Sequence, residues 1–203
     1  MSIASVPVER VDRILDAAYA CFARHGFRKT TMEDIAAAAG MSRPAVYQYV
    51  RSKQDAFGRL RERLFERALT EARIGAEADG TLAQRMDRIL AAKLSVTQEL
   101  WRDGPYAAEL LTGPGGGAVD QDRQFVAELS DLLTATISAA AAEADLRLPA
   151  ANAREVAELA LALTRGLEAD LSDADRPRER LRSGVALLVA GLAAASKARD
   201  NST

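Results

Sequence analysis

The chain has 203 residues, of which 48% are apolar and 28% are charged, and its formal net charge is −2. This length and composition allow one or two helical domains with a substantial core, and the charge argues against a nonspecific nucleic-acid coat. A single cysteine and a single histidine exclude an intrachain disulfide framework and a four-ligand Cys/His zinc site.

The charge is unevenly distributed along the chain. Residues 1–60 contain nine Lys/Arg and six Asp/Glu, a net charge of +3, whereas residues 61–203 carry a net charge of −5. This asymmetry predicts phosphate contact at one end of the molecule. The N-terminal segment lacks the apolar core of a signal peptide, and the longest apolar run, Gly184 to Ala195, is too short to cross a bilayer. We therefore expect a soluble cytoplasmic protein without membrane contact.

The first helix is predicted from an apolar spacing of three and four that starts at Val8 and continues through Ile14, Leu15 and Phe22. Gly26 is expected to end it. A second helix begins at Thr30 or Thr31, with Glu33 or Asp34 as capping-box partner. Gly40 is expected to end this second helix.

A third, short helix is predicted to start after Ser42, with Pro44 in its first turn, and to continue through Tyr49. Ser52 is expected to cap a fourth helix, with Asp55 three residues later.

The rest of the chain also shows helical spacing. Helices are predicted from Leu82 to about Trp101, from Tyr106 to Leu111, and over about 120–143, 150–171 and 177–197. The Gly-rich segment 113–117 is predicted to be a flexible connection, and it lacks the phosphate-binding G-x-x-x-x-G-K pattern. The sequence therefore predicts an all-α fold of about nine helices.

Residues 30–57 have the pattern of a helix-turn-helix. Gly40 permits a tight turn, and the small side chains of Ala36 and Ala39 allow the second helix to cross closely. The second helix would then expose Arg43 and Gln48, which suit guanine and adenine edges respectively.

Residues 8–57 resemble the TetR family of transcriptional regulators. The resemblance rests on Ala17-Ala18, Phe22, Gly26-Phe27, Thr31, Ile35-Ala36, Ala39-Gly40-Met41-Ser42, Val46-Tyr47, Tyr49-Val50 and Ser52-Lys53. It implies an N-terminal three-helix DNA-binding domain, residues 1–52, and a larger helical ligand-binding and dimerisation domain, residues 53–203. It further implies a homodimer that binds a palindromic operator, usually as a repressor, and is released by a small molecule.

The resemblance also implies which residues bind DNA. Arg43, Pro44 and Gln48 would face the major groove, Tyr47 and Tyr49 would contact backbone and flanking bases, and Thr31 and Lys53 would contact phosphates. Ser42 completes the expected DNA-binding set. Pro44 stands where the family often has a small residue, so base preference is not transferred from relatives. Val50 replaces the usual Phe and is expected to leave only a smaller core contact.

A ligand pocket and a dimer interface are both expected in the second domain. A mostly apolar ligand pocket is predicted to be lined by Met86, Leu90, Trp101, Tyr106, Leu110 and Phe125. A dimer interface on the last two helices is predicted to contain Leu159, Leu163, Gly166, Leu167, Leu181, Gly184, Val185, Leu188 and Leu192. Plain core packing is the alternative for both sets.

Two other functions compete with a ligand-responsive repressor. One is a DNA-binding regulator that is controlled by a protein partner, or that acts as an activator, without a small-molecule inducer. The other is a helical enzyme, which the scarcity of His and Cys disfavours. We therefore expect no catalytic residues, no metal and no cofactor.

Overall fold

The computed structural model describes residues 5–112, 118–143, 153–168 and 176–200. These residues form nine α-helices and no strand, which confirms the predicted fold class. The helices are α1 Ser5–Lys29, α2 Met32–Ala38, α3 Arg43–Tyr47, α4 Lys53–Glu77, α5 Leu82–Arg102, α6 Pro105–Thr112, α7 Ala118–Glu143, α8 Ala153–Glu168 and α9 Arg176–Asp200. The predicted flexible connection at 113–117 lies outside the described residues.

The helices divide into two compact units. Unit 1 contains the described residues of Met1–Phe65 and Glu99–Asp122, and unit 2 contains those of Glu66–Gln98 and Arg123–Thr203. The described residues of this second stretch, 99–112 and 118–122, thus cluster with the N-terminal helices. The functional division into residues 1–52 and 53–203 stays a prediction.

The core of unit 1 is built on the apolar face of α1. Ile14, Leu15, Ala18 and Phe22 are buried, as their spacing predicts. Val8 was expected on the same face but is exposed; it lies six positions before Ile14, the first core residue of α1 among the described residues.

Three phenylalanines join α1 to α4 in unit 1. The ring of Phe22 lies 5.6 Å from those of Phe27 and Phe57, and the last two lie 5.0 Å apart in an edge-on arrangement. Edge-to-face packing of this kind is a favoured aromatic geometry. Cys21 is buried nearby on α1, and burial raises the pKa of its thiol. This environment fits a packed structural role for Cys21.

Gly26 breaks α1, as predicted. Its φ of 77° and ψ of 159° are not helical, and a side chain would be strained there. The hydroxyl of Thr30 donates to the main-chain oxygens of Cys21 and Gly26, which closes the turn after the break. We call residues 26–31 the hinge turn, because they join α1 to α2.

Arg61 on α4 is buried within unit 1, although arginine is rarely buried without partners. Its guanidinium donates to the main-chain oxygen of Leu110 on α6, and to Gln121 and Asp122 at the start of α7. The Nη2–Oδ1 distance to Asp122 is 2.6 Å. Arg61 therefore ties the ends of α6 and α7 to α4.

Unit 2 has an apolar core from α5, α7 and α8. Its fully buried side chains include Met86 and Leu90 on α5, Leu129 and Leu133 on α7, and Ala160 on α8. By length and composition alone, α7 is the one helix among the described residues that could span a membrane. Of the apolar stretch of this helix, 39% is buried inside the structure.

Helices α8 and α9 approach each other closely at Gly184. A Cβ built there would lie only 2.4 Å from Leu163 Cδ2, so no larger residue fits without a shift. On another side of unit 2, Lys93 of α5 pairs with Glu168 of α8 at 2.5 Å, and Thr97 donates to the same carboxylate. These contacts hold α8 against α5 and α9.

Candidate nucleic-acid interface

The start of α2 is capped as the sequence predicts. The side chain of Thr31 accepts from the main-chain N–H of Asp34, and the Asp34 carboxylate accepts from the main-chain N–H of Thr31 at 2.8 Å. The Thr31 hydroxyl also donates to that carboxylate, and this bond lowers the pKa of Asp34. Thr31 therefore stands at the exposed N-terminus of α2 with its hydroxyl proton already engaged.

A tight turn joins α2 to α3. Gly40 has a φ of 64°, the left-handed conformation expected after a helix end. The Ser42 side chain accepts from the main-chain N–H of Ala45 and caps α3. Helix α3 ends at Tyr47 rather than Tyr49, because the N–H groups of Tyr49 and Val50 both bond the Val46 oxygen. The turn that follows is too tight to continue the α-helix.

Helix α3 has one buried side and one exposed side. Val46 is fully buried, as is Val50 after the helix. Arg43, Pro44 and Gln48 are exposed, and Tyr47 is 41% exposed. The structure thus places four of the predicted DNA-binding residues on one short, solvent-facing segment.

Arg43 and Tyr47 interact on that exposed side. The Arg43 guanidinium lies 5.6 Å from the centroid of the Tyr47 ring, and a hydrogen bond that the guanidinium donates to the Tyr47 hydroxyl oxygen raises the pKa of Arg43. Arg43 also forms a weak ion pair with Glu33 of α2 at 3.4 Å, and both partners are exposed. An exposed pair of this kind contributes little to stability, so Arg43 can be redirected to a ligand at small cost.

Tyr49 differs from Tyr47. It is half-buried, and its hydroxyl accepts from Nη1 of Arg10 on α1 at 3.1 Å. Arg10 was not predicted as a site residue, because it is one of several arginines on α1 and only the fold brings it to Tyr49. Arg10 therefore places a positive charge next to Tyr49, one of the predicted DNA-binding residues.

Lys53 lies in a different environment from the one predicted. Its Nζ donates to the main-chain oxygens of Phe27, Arg28 and Thr30 at 2.9, 3.1 and 3.0 Å. An ammonium group has three donors, and all three are used here. These oxygens lie in the last turn of α1 and just after it, where helices leave carbonyls without internal partners. The structure places Lys53 on the hinge turn, and a phosphate contact stays only a prediction.

The predicted pocket residues fall into two groups. Met86, Leu90 and Phe125 are buried within unit 2, whereas Leu110 is buried within unit 1. Trp101 and Tyr106 belong to unit 1 and are largely exposed, and Tyr106 packs against Gly26 of α1. The pocket stays a prediction, and the packed position of Tyr106 favours a structural role for this residue.

The predicted interface residues also separate by burial. Leu167, Leu181 and Val185 are buried within unit 2. The others are partly or fully exposed: Leu159, Leu163, Gly166, Gly184, Leu188 and Leu192. Leu187 is 74% exposed and was not predicted, because its helix is apolar on most sides and spacing alone does not orient it.

Comparisons with known proteins show which part of the chain is similar to them. Residues 14–60 match the family model described as bacterial regulatory proteins, tetR family. Over 99 residues the chain is 33% identical to the HTH-type transcriptional repressor Rv1474c of Mycobacterium tuberculosis. That alignment covers 47% of this chain and 53% of the relative, so the chain spans about half the length of the curated relative it matches.

Solved structures extend the likeness to the whole fold. A protein of Pseudomonas aeruginosa PAO1 described as a transcriptional regulator has a TM-score of 0.73 at 21% identity, and covers 95% of this chain and 94% of its own. The SmeT–triclosan complex has a TM-score of 0.65 at 22% identity, with 92% and 91% covered. At these identities the likeness establishes the fold alone.

Proposed function

This chain belongs to the TetR family, and we propose that it is a ligand-responsive transcriptional regulator that binds a palindromic operator as a homodimer. The observation that carries this proposal is the exposed side of α3. This helix of five residues buries Val46 and presents Arg43 and Tyr47 to solvent, and its exposed C-cap residue Gln48 follows directly. This is the arrangement by which a helix-turn-helix reads the major groove.

The side chains on α3 suit base reading. Arginine can make two hydrogen bonds to the edge of guanine, and glutamine can make two to adenine. Arg43 and Gln48 are both exposed and lie five positions apart, so they would reach different base pairs. Thr31 and Ser42, each at a helix N-terminus, and Tyr47 would contact the DNA backbone.

The homodimer is proposed to form through α8 and α9. Within one chain these helices leave Leu159 56% exposed and Leu187 74% exposed, beside partly exposed Leu163 and Leu188. Residues 183–194 of α9 contain no charged side chain. Exposed apolar faces of this kind mark association surfaces. A twofold dimer would present two identical copies of α3, which requires an inverted-repeat operator.

A small molecule is proposed to release the operator. The structural neighbour SmeT is bound to triclosan, a small molecule, and the relative from Mycobacterium tuberculosis is a repressor. Met86, Leu90 and Phe125 supply apolar side chains inside unit 2 for such a ligand. The ligand would shift the equilibrium only if it favours one dimer geometry over the other. A regulator of this kind works in the cytoplasm, where the DNA is.

Selection of binding sites from random double-stranded DNA tests the proposal. The purified full chain should enrich an inverted repeat with half-sites about one helical turn apart or somewhat more. A variant with Arg43 and Gln48 both replaced by Ala should enrich nothing. Enrichment of single half-sites would contradict the homodimer. Failure of the wild-type chain to enrich any sequence would contradict operator binding.

A further inference from the structure

We infer that Glu109 on α6 is a positioning residue of the DNA-binding head, meaning α1–α3, because its carboxylate holds the hinge turn. This inference rests on the proposed function, since a positioning role requires an operator to bind. Neither the resemblance nor the spacing of the sequence indicates a function for Glu109.

The break in α1 leaves a main-chain N–H group, that of Phe27, available to bond the Glu109 carboxylate. Because Gly26 is not helical, the main-chain N–H of Phe27 is directed away from the α1 hydrogen-bond ladder. The Glu109 carboxylate accepts this N–H at 3.0 Å, and its other oxygen lies beside Gly26. Glu109 is half-buried, so water competes less for this bond than at an open surface.

The hinge turn is held from two helices at once. Glu109 of α6 binds the Phe27 N–H, while Lys53 of α4 binds the main-chain oxygens of Phe27, Arg28 and Thr30. Thr31 follows directly and caps α2. The position from which α2 and α3 extend therefore depends on the relative placement of α4 and α6.

Helix α6 is itself firmly attached within unit 1. Tyr106 packs against Gly26, since a Cβ there would lie 3.0 Å from Tyr106 Cδ1. Ala107 and Leu110 are buried, and the Leu110 oxygen accepts from Arg61 of α4. A displacement of α6 would consequently pull on the hinge turn through Glu109 rather than be absorbed by a loose helix.

A displacement of α6 that weakens the bond between Glu109 and the Phe27 N–H would alter the placement of α2 and α3, and therefore operator binding. By thermodynamic reciprocity, operator binding must then also change the stability of α6.

Hydrogen exchange on the full chain tests this inference, with the probe being the double-stranded operator obtained by selection. Glu109→Ala removes the acceptor and Glu109→Asp moves it back by one methylene. Glu109→Gln keeps an oxygen acceptor in place. Exposed Glu62 on α4 provides the matched control, Glu62→Ala.

In the free protein, Glu109→Ala and Glu109→Asp should raise exchange of the Phe27 amide about tenfold, because a bond to a charged acceptor is lost. Both should weaken operator binding at least threefold. Operator binding should slow exchange in α6 of the wild-type chain but not of Glu109→Ala. Glu109→Gln and Glu62→Ala should stay within twofold of wild type. If Glu109→Ala does not fold, Glu109→Asp alone gives the same test.

Two results would overturn the positioning role. One is an unchanged Phe27 exchange rate in Glu109→Ala and Glu109→Asp. The other is raised exchange with unchanged operator affinity and unchanged protection of α6. A wild-type chain that selects no DNA would instead overturn the proposed function, and the positioning role with it, whatever the exchange rates show.

Discussion

Lys53 and Phe27 are joined twice, although 26 positions separate them in the chain. The Lys53 ammonium donates to the Phe27 oxygen at 2.9 Å and lies 4.7 Å from the centroid of the Phe27 ring. A cation over an aromatic face is attractive, and the attraction is stronger where the ring is shielded from water, as the buried Phe27 is. The first residue of α4 thus fixes the turn that leads into α2.

Replacing Lys53 by Met should lower the free energy of unfolding by about 2 kcal/mol, because three charge-assisted bonds are lost while the aliphatic stem is kept. Chemical denaturation of the purified protein measures this. Lys29→Met, at an exposed position on the same turn, is the control and should change stability little.

The Lys53→Met variant also distinguishes two roles for Lys53, which are binding the hinge turn and contacting a DNA phosphate. If Lys53 contacts a phosphate, Lys53→Met should reduce the salt dependence of operator binding by about one counterion and leave stability unchanged. Unchanged stability together with a reduced salt slope would show that Lys53 binds phosphate and that its bonds to the hinge turn contribute nothing.

Tyr47→Ala should weaken operator binding about tenfold or more, since Tyr47 is exposed on α3 and contributes no buried core. The dimer should stay folded, with an unchanged unfolding transition. Anisotropy of labelled operator and circular dichroism report these two quantities. Equal affinity of Tyr47→Ala and wild type would remove Tyr47 from the DNA interface.

Gly26→Ala should destabilise the protein by about 1–2 kcal/mol or more, because φ is +77° and the new Cβ meets Tyr106 at 3.0 Å. Gly58→Ala on α4 is the matched control, since no atom lies within 4 Å of its Cβ position. It should be neutral or raise stability by up to about 1 kcal/mol. Thermal unfolding measures the stability of both variants. Equal unfolding midpoints would show that the non-helical conformation at Gly26 is not required for stability.

Leu187→Arg should convert the dimer to a monomer that remains folded, because the side chain is 74% exposed in one chain and would be covered only by a partner. Val119→Arg, at an exposed valine of α7 in unit 1, is the control and should stay dimeric. Sedimentation velocity distinguishes the two species. A dimeric Leu187→Arg would place the interface elsewhere.

Local chemistry made much of this fold predictable. The helix ends at Gly26 and Gly40, and the caps at Ser42 and Ser52, depend on residues within four positions of each other. The exposed side of α3 followed from the same local pattern. Burial within α9 did not, because leucine and alanine occupy most of its faces.

The roles of Lys53 and Glu109 could not be read from the sequence. Lys53 binds oxygens 23 to 26 positions away, and Glu109 binds an amide 82 positions away. Such partners depend on how α4 and α6 are packed against α1, which spacing within one helix does not determine. For the same reason the sequence does not indicate that Arg61 of α4 is buried.

A titration of labelled DNA with the purified chain, at about 50 and 200 mM salt, tests the central claim most directly. We predict that an inverted-repeat operator binds two protomers, that only the same sequence competes, and that affinity falls at least about a hundredfold at the higher salt. Equal competition by any DNA would contradict an operator-reading regulator, and so would binding of a single protomer to the inverted repeat.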